Sequence, residues 1–130
     1  VKYPLSLRYS ESHHWIKLSG GYAVIGITRH AQSRLGQIER LELPPLGLDL
    51  QENELIGKVV GTQGVFEIRS PIQGRVVAVH SDLSHRLHLI NTHPHSEGWL
   101  IRLEVPMPGR VKILMNAADY RRFLQMPLAR

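Results

Sequence analysis

Histidine is the residue type best equipped for chemistry in this sequence. His80, His85, His88, His93 and His95 fall in one stretch, and neutral imidazole nitrogens are good zinc ligands. The spacing His85-x-x-His88 followed by His93-x-His95 matches no common zinc signature, so no metal site is assigned. A milder role is charge tuning, since unperturbed imidazole titrates at about 6.5. Ser10, Ser12, Ser81, Ser84 and Ser96 lie near histidines in sequence, but no strained Gly-x-Ser-x-Gly elbow accompanies them and no catalytic residue is assigned. The absence of cysteine removes disulfides, thiolate metal sites and thiol nucleophiles.

The residue placed to meet another molecule is Gln63. It stands in Gly57-Lys58-Val59-Val60-Gly61-Thr62-Gln63-Gly64-Val65-Phe66-Glu67-Ile68-Arg69, where two β-branched runs meet at Gly-Thr-Gln-Gly. That pattern predicts a β-hairpin with Gln63 at its exposed tip, the flanking glycines supplying the positive φ that tight two-residue turns demand. A carboxamide nitrogen is not nucleophilic, so Gln63 can offer hydrogen bonds and nothing more reactive.

Elements that must position this hairpin are mostly short strands. The sequence predicts strands over Trp15–Leu18 and Tyr22–Ile27, joined at Ser19-Gly20-Gly21, with the preceding stretch from Arg8 to His14 polar. Thr28 is placed as the N-cap of a short helix through Leu35, closed by Gly36. Further strands are expected over Ile38–Leu43, where alternation is strict only in the second half, then Asn53–Val60, Val65–Ser70, Gly74–His80 and Gly98–Val105. Pro44-Pro45 stops the first of these, because proline has no ladder donor. Ser81–Ser96 is expected as a long ordered loop with at most one helical turn. A last helix runs from Ala117 to about Gln125, capped by Asn116, with Tyr120, Phe123 and Leu124 as its buried stripe and Met126–Arg130 frayed.

Many short strands with peripheral helices predict a small β-sandwich or barrel. A length of 130 residues with 42% hydrophobic content fits one domain. No apolar run reaches the ~20 residues of a membrane span, and Val1-Lys2-Tyr3-Pro4 does not open a signal peptide. The net charge of +5, from 16 Lys+Arg against 11 Asp+Glu, favours acidic partners. Nucleic acid is not the expected partner: the basic residues are scattered, only Arg121-Arg122 are adjacent, and aromatic content is 6%.

A hairpin tip followed by Ser70-Pro71-x-x-Gly74 and a valine-rich strand resembles the lipoyl hairpin of the glycine cleavage system H protein family. The resemblance extends in order through His13-His14-Trp15, Gly26-Ile27-Thr28, Ala31-Gln32, Leu35-Gly36-Gln37-Ile38, Glu42-Leu43-Pro44, Gly57, Glu67, Asn91, Pro94 and Glu97-Gly98-Trp99-Leu100-Ile101. It covers a core from about Tyr9 to Leu124 of a single 1–130 unit. It implies a mainly β, lipoyl/biotinyl-type flattened barrel-sandwich hybrid of two antiparallel sheets, with a short helix after the second strand and a C-terminal helix.

In that family the tip carries lipoate as an amide on a lysine, and the arm moves an aminomethyl group between a pyridoxal-phosphate decarboxylase, a folate-dependent aminomethyltransferase and a dihydrolipoyl dehydrogenase. Here the position is Gln63, and neighbours depart as well: Val60 replaces the acidic residue three before, with Gly64 and Phe66 after. The expectation is a non-enzymatic, divergent homologue without lipoate, acting by docking as scaffold or regulator. Two alternatives stay open, a genuine aminomethyl carrier and an accessory subunit of another redox or sulfur-handling complex. The resemblance implies the bacterial cytoplasm, or mitochondria in a eukaryote. Partner-binding candidates are Gln63, Phe66, Glu67 and Arg69 on the hairpin, with Arg29 and Arg34 on the first helix; Arg69, expected close to the tip, and Arg29 and Arg34 are the candidates for electrostatic steering. A bland reading of Gln63 as a solvated turn residue stands beside the sharp one, a tip inserted into a partner's site. Phe66 is expected to be buried, and Trp15 and Trp99 to pack in or near the core.

Overall fold

The computed structural model describes residues 2–127; Val1 and, from the expected frayed tail, residues 128–130 lie outside them. Among the described residues, nine strands form two antiparallel sheets. They are β1 (Arg8–Tyr9), β2 (His14–Ser19), β3 (Tyr22–Ile27), β4 (Ile38–Glu42), β5 (Asp49–Leu50), β6 (Leu55–Gly61), β7 (Gly64–Arg69), β8 (Gly74–Val79) and β9 (Ile101–Glu104). One sheet has six strands in the order β1-β2-β3-β9-β8-β5, and the other has three in the order β4-β6-β7. Helices α1 (Arg29–Ser33), α2 (His88–Thr92) and α3 (Ala117–Gln125) lie between and after them. The mainly β, two-sheet architecture expected from the sequence is the one observed.

The alternation that the strands require is visible in what each residue meets. Ile16, Ala23, Ile25, Ile27, Val76, Ile101 and Leu103 of the large sheet face Val59 and Ile68 of the small one, all at most 2% exposed. Burying one such aliphatic side chain contributes about 1.5–3 kcal/mol, so this double layer is the main stabilising term. The opposite face of the large sheet is covered at one end only. There Trp15 lies over Gly26, and Tyr3, Leu7, Tyr9, Ala117 and Tyr120 close around it. A Cβ at Gly26 would sit 2.5 Å from the indole Nε1, so only glycine lets the ring lie flat on the strand. Trp15 Nε1 donates to Pro94 O at 2.7 Å, and Tyr9 and Tyr120 stack at 4.8 Å between centroids.

Several local expectations need correction. The stretch before Trp15 contributes β1, which pairs Tyr9 with Trp15, so the short helix follows the third strand rather than the second. The break in alternation at Ile38 is a bulge in the pairing with β6. After Pro44-Pro45 the chain forms β5, too short to leave a sequence signature. Ser81–His85 is a 3-10 turn and His88–Thr92 is α2, where at most one helical turn was expected. Gly98–Leu100 lies outside β9, which ends at Glu104. Both predicted caps hold: Thr28 Oγ1 accepts from Ala31 N at 3.3 Å and Asn116 Oδ1 from Asp119 N at 2.8 Å.

Candidate functional site

The hairpin forms from β6 and β7 in a register that pairs Val60 with Val65 and Gly61 with Gly64, leaving Thr62 and Gln63 as the turn. Both turn residues are exposed. The expected reason for the glycines does not hold, because neither Gly61 nor Gly64 lies at positive φ. Gly61 is needed for close approach instead: a Cβ there would overlap the carbonyl oxygen of Leu35 and stand 2.8 Å from its carbon.

That contact exists because the tip rests on the turn between α1 and β4. Gln63 N donates to Leu35 O at 2.9 Å, Thr62 N donates to Gln37 O at 2.9 Å, and Gln37 N donates to Thr62 Oγ1 at 3.2 Å. Gly36 takes φ +70° in the supporting turn, where a Cβ would also meet Thr62 Oγ1. Asn91 of α2 holds the same turn from below, donating to Gly36 O at 2.8 Å and accepting from Ile38 N at 3.1 Å. The tip backbone is therefore anchored to the α1–β4 turn, and the exposed Gln63 side chain lies along that turn, its Cγ 3.1 Å from where a Cβ on Gly36 would stand.

At the other end of the hairpin, His14 ties β2 to β7. Its Nε2 accepts from Arg69 N at 3.1 Å, which leaves the proton on Nδ1 to donate to Ser12 Oγ at 3.0 Å. The ring is fully buried, 5.1 Å from that of Phe66. Burial, with the charges of His13 and Arg69 adding to it, pushes the imidazole pKa down to about 3. His95 behaves alike: its Nε2 accepts from Arg29 N at 2.9 Å, and burial first, then the Arg29 charge, lowers it to about 4.

The predicted partner-binding residues separate into two groups. Gln63 and Arg34 are exposed at the tip, where Gly64 lies 3.8 Å, at its would-be Cβ, from Arg34 O. Arg29 is not available for steering, since its guanidinium spans Gln32 Oε1 at 2.6 Å, Asn91 O at 2.5 Å and Thr92 O at 3.2 Å and so closes the end of α2. Arg69 pairs across from Leu55 at the base of the hairpin, roughly 17 Å of strand from Gly64. It donates to Asn53 O at 2.9 Å and Glu67 Oε1 at 3.2 Å, so the expectation that it sits close to the tip fails. Glu67 is exposed opposite Lys58, three rows below the Gly61–Gly64 pair that closes the tip.

Phe66 is half-buried against the main core rather than fully buried. The exposed apolar residue is its neighbour Val65, at 60%. Arg40, which the sequence did not single out, lies across from Val60 in the second row from the tip, with 63% of its side chain exposed and Glu42 3.6 Å away. The signal for it was the alternation break at Ile38, which fixes the register of β4.

The five loop histidines do not converge. His80 Nε2 lies 3.0 Å from Glu97 O while its ring stacks on Trp99, His93 Nδ1 lies 2.9 Å from Thr92 Oγ1, and His95 holds Arg29 N. Among the described residues no group of three or more His, Asp or Glu could hold a metal ion, and no helix is long and apolar enough to cross a membrane.

Comparison with known proteins places the chain beside one family. The family model described as "Glycine cleavage H-protein" matches residues 7–126. The glycine cleavage system H protein of Bacillus cytotoxicus is 42% identical over 117 residues, covering 90% of this chain and 92% of that protein. That of Symbiobacterium thermophilum is 38% identical over 120 residues, covering 92% and 94%. The crystal structure of the glycine cleavage system H protein from Mycobacterium marinum superposes with a TM-score of 0.85 at 26% identity, over 95% of this chain and all of the other.

Proposed function

The chain belongs to the glycine cleavage H-protein family, whose members are not themselves catalysts, and we propose that within it this protein is a docking homologue that acts without a lipoyl group. The observation that carries the reading is Gln63 itself, exposed on a tip whose backbone is fully anchored. A carboxamide does not fit lipoyl attachment, which needs an amine. Lys58 is no substitute: it lies inside β6 with its ammonium 3.7 Å from Glu42. The partners are enzymes of glycine cleavage or of a related complex, and the bacterial relatives point to the bacterial cytoplasm as the compartment.

Co-expression with a lipoate–protein ligase tests this directly. Intact mass spectrometry is expected to return only the unmodified chain, and a species heavier by one lipoyl group would overturn the reading. Gln63→Lys alone is expected to be modified poorly, because Val60, Gly64 and Phe66 still differ from the family's tip. Efficient modification of that variant would show that the residue at 63 is the whole difference.

The net charge of +5 further supports an acidic partner. With Arg29 held against α2 and Arg69 at the base of the hairpin, Arg34 and Arg40 are the steering residues on the tip side. In surface plasmon resonance against glycine cleavage enzymes, Arg34→Glu and Arg40→Glu should slow association more than they speed dissociation, and added salt should do the same as the Debye length falls below ~10 Å. Binding indifferent to both would leave an apolar contact, with Val65→Asp as the variant that abolishes it.

A further inference from the structure

The aromatic cluster around Trp15 covers only one end of the outer face of the six-stranded sheet. Beyond it a groove remains, lined by Lys17, Tyr22, Val24, Ala78, Trp99 and Arg102. The registers Lys17↔Val24, Val24↔Arg102 and Arg102↔Ala78 set Lys17, Val24, Arg102 and Ala78 in one lateral row across β2, β3, β9 and β8, with Tyr22 in the same row as Glu104. Lys17 and Arg102 thus flank Val24 about 10 Å apart at Cα, two strand spacings. Val24, Ala78 and Trp99 make a half-buried apolar floor. The Trp99 ring is fixed by stacking on His80, 4.4 Å between centroids at 18°, and Arg102 lies 4.6 Å above the Tyr22 ring.

The charges of this groove are uncompensated. Arg40, Lys58, Arg69, Arg75, Arg110 and Arg122 all have carboxylate partners. Among the described residues Lys17 and Arg102 have none. The nearest acid on this face, Glu104, lies one row further on, directly opposite Arg75. A guanidinium resting on an aromatic face keeps its edge donors free, and that edge matches a carboxylate.

We propose that this groove is a second docking site, occupied by an extended acidic segment of a partner protein. The segment sets one carboxylate between Lys17 and Arg102 over Val24 and lays its flanking aliphatic side chains on Ala78 and Trp99. Two cations suit a single carboxylate, and Glu104 in the next row repels a polyanionic backbone, so a peptide fits better than nucleic acid. The groove lies on the sheet that does not contain the tip, and none of its lining residues belongs to the hairpin.

The experiment uses 15N-labelled full-length protein and two probes, Ac-Leu-Val-Glu-Leu-Val-NH2 and its Glu-to-Gln counterpart. The acidic peptide is expected to give saturable amide shifts at Lys17, Val24 and Arg102 and at the Trp99 indole, without shifts at Thr62–Gly64. The neutral peptide should bind about tenfold more weakly, as should the acidic peptide to Lys17→Glu/Arg102→Glu protein of unchanged melting temperature; tenfold is one carboxylate contact of ~1.4 kcal/mol. Equal affinity of the two peptides overturns the proposal using wild-type protein alone, whatever the variant does. Absence of shifts in the groove at millimolar peptide, or tighter binding there of an oligothymidine, overturns it too.

Discussion

Lowering the pH from about 7.5 to about 4.5 is expected to destabilise the fold by about 2–3 kcal/mol through His14 alone, shifting the thermal midpoint down by roughly 10 °C. The buried imidazole has its pKa lowered from 6.5 to about 3 in the folded protein, so between those values the unfolded chain binds the extra proton. The stability contributed is complete above pH 6.5 and is lost as the pH falls towards 3. The geometry explains the size of the effect: a proton on Nε2 would face Arg69 N–H, donor against donor, in a site sealed by Phe66. His95, facing Arg29 N and the Arg29 guanidinium, adds to the slope with the same sign. His14→Gln should flatten the profile between about pH 6.5 and 4.5, since an amide oxygen can accept from Arg69 N without titrating. A melting temperature that stays level over that range in wild-type protein would contradict this account.

Gly61→Ala should destabilise by about 2–4 kcal/mol and loosen the tip, while Gly64→Ala should cost less than about 1 kcal/mol. The two glycines bracket the same turn, and sequence alone gives no reason to tell them apart. The structure does. A methyl group at 61 overlaps Leu35 O, which is already the acceptor of Gln63 N, so relief requires the α1–β4 turn to withdraw from the tip. At 64 nothing lies closer than 3.8 Å. Chemical denaturation measures both, and hydrogen exchange at Gln63 N should accelerate in the first variant only. Equal effects would mean that the turn, not the packing, sets the requirement for glycine.

What was legible in the sequence and what was not divide along the range of the interactions. The hairpin follows from valine-rich alternation, and the caps at Thr28 and Asn116 from contacts three residues away, so local pattern sufficed. Arg29 was misjudged because its partners, Asn91 O and Thr92 O, lie 62 and 63 residues on. Arg69 was misplaced because the hairpin's length, not its composition, puts the residue at the base. α2 has no capping side chain of its own and is held by Arg29 and by Asn91's bonds to the Gly36 turn, which no window over Ser81–Ser96 contains. The groove between Lys17 and Arg102 joins residues 85 positions apart and could be seen only once the strand order was known.

The anchoring of the tip bears on how the protein can be used as a rigid display frame. Because Thr62 and Gln63 already spend their backbone donors on Gln37 and Leu35, the turn has little conformational freedom left to lose when something grips it. A fluorophore, crosslinker or short recognition residue introduced at position 63 would thus be presented in a single direction, with only its own side-chain torsions to order. Distances measured from such a probe would report the partner's geometry instead of the motion of the frame.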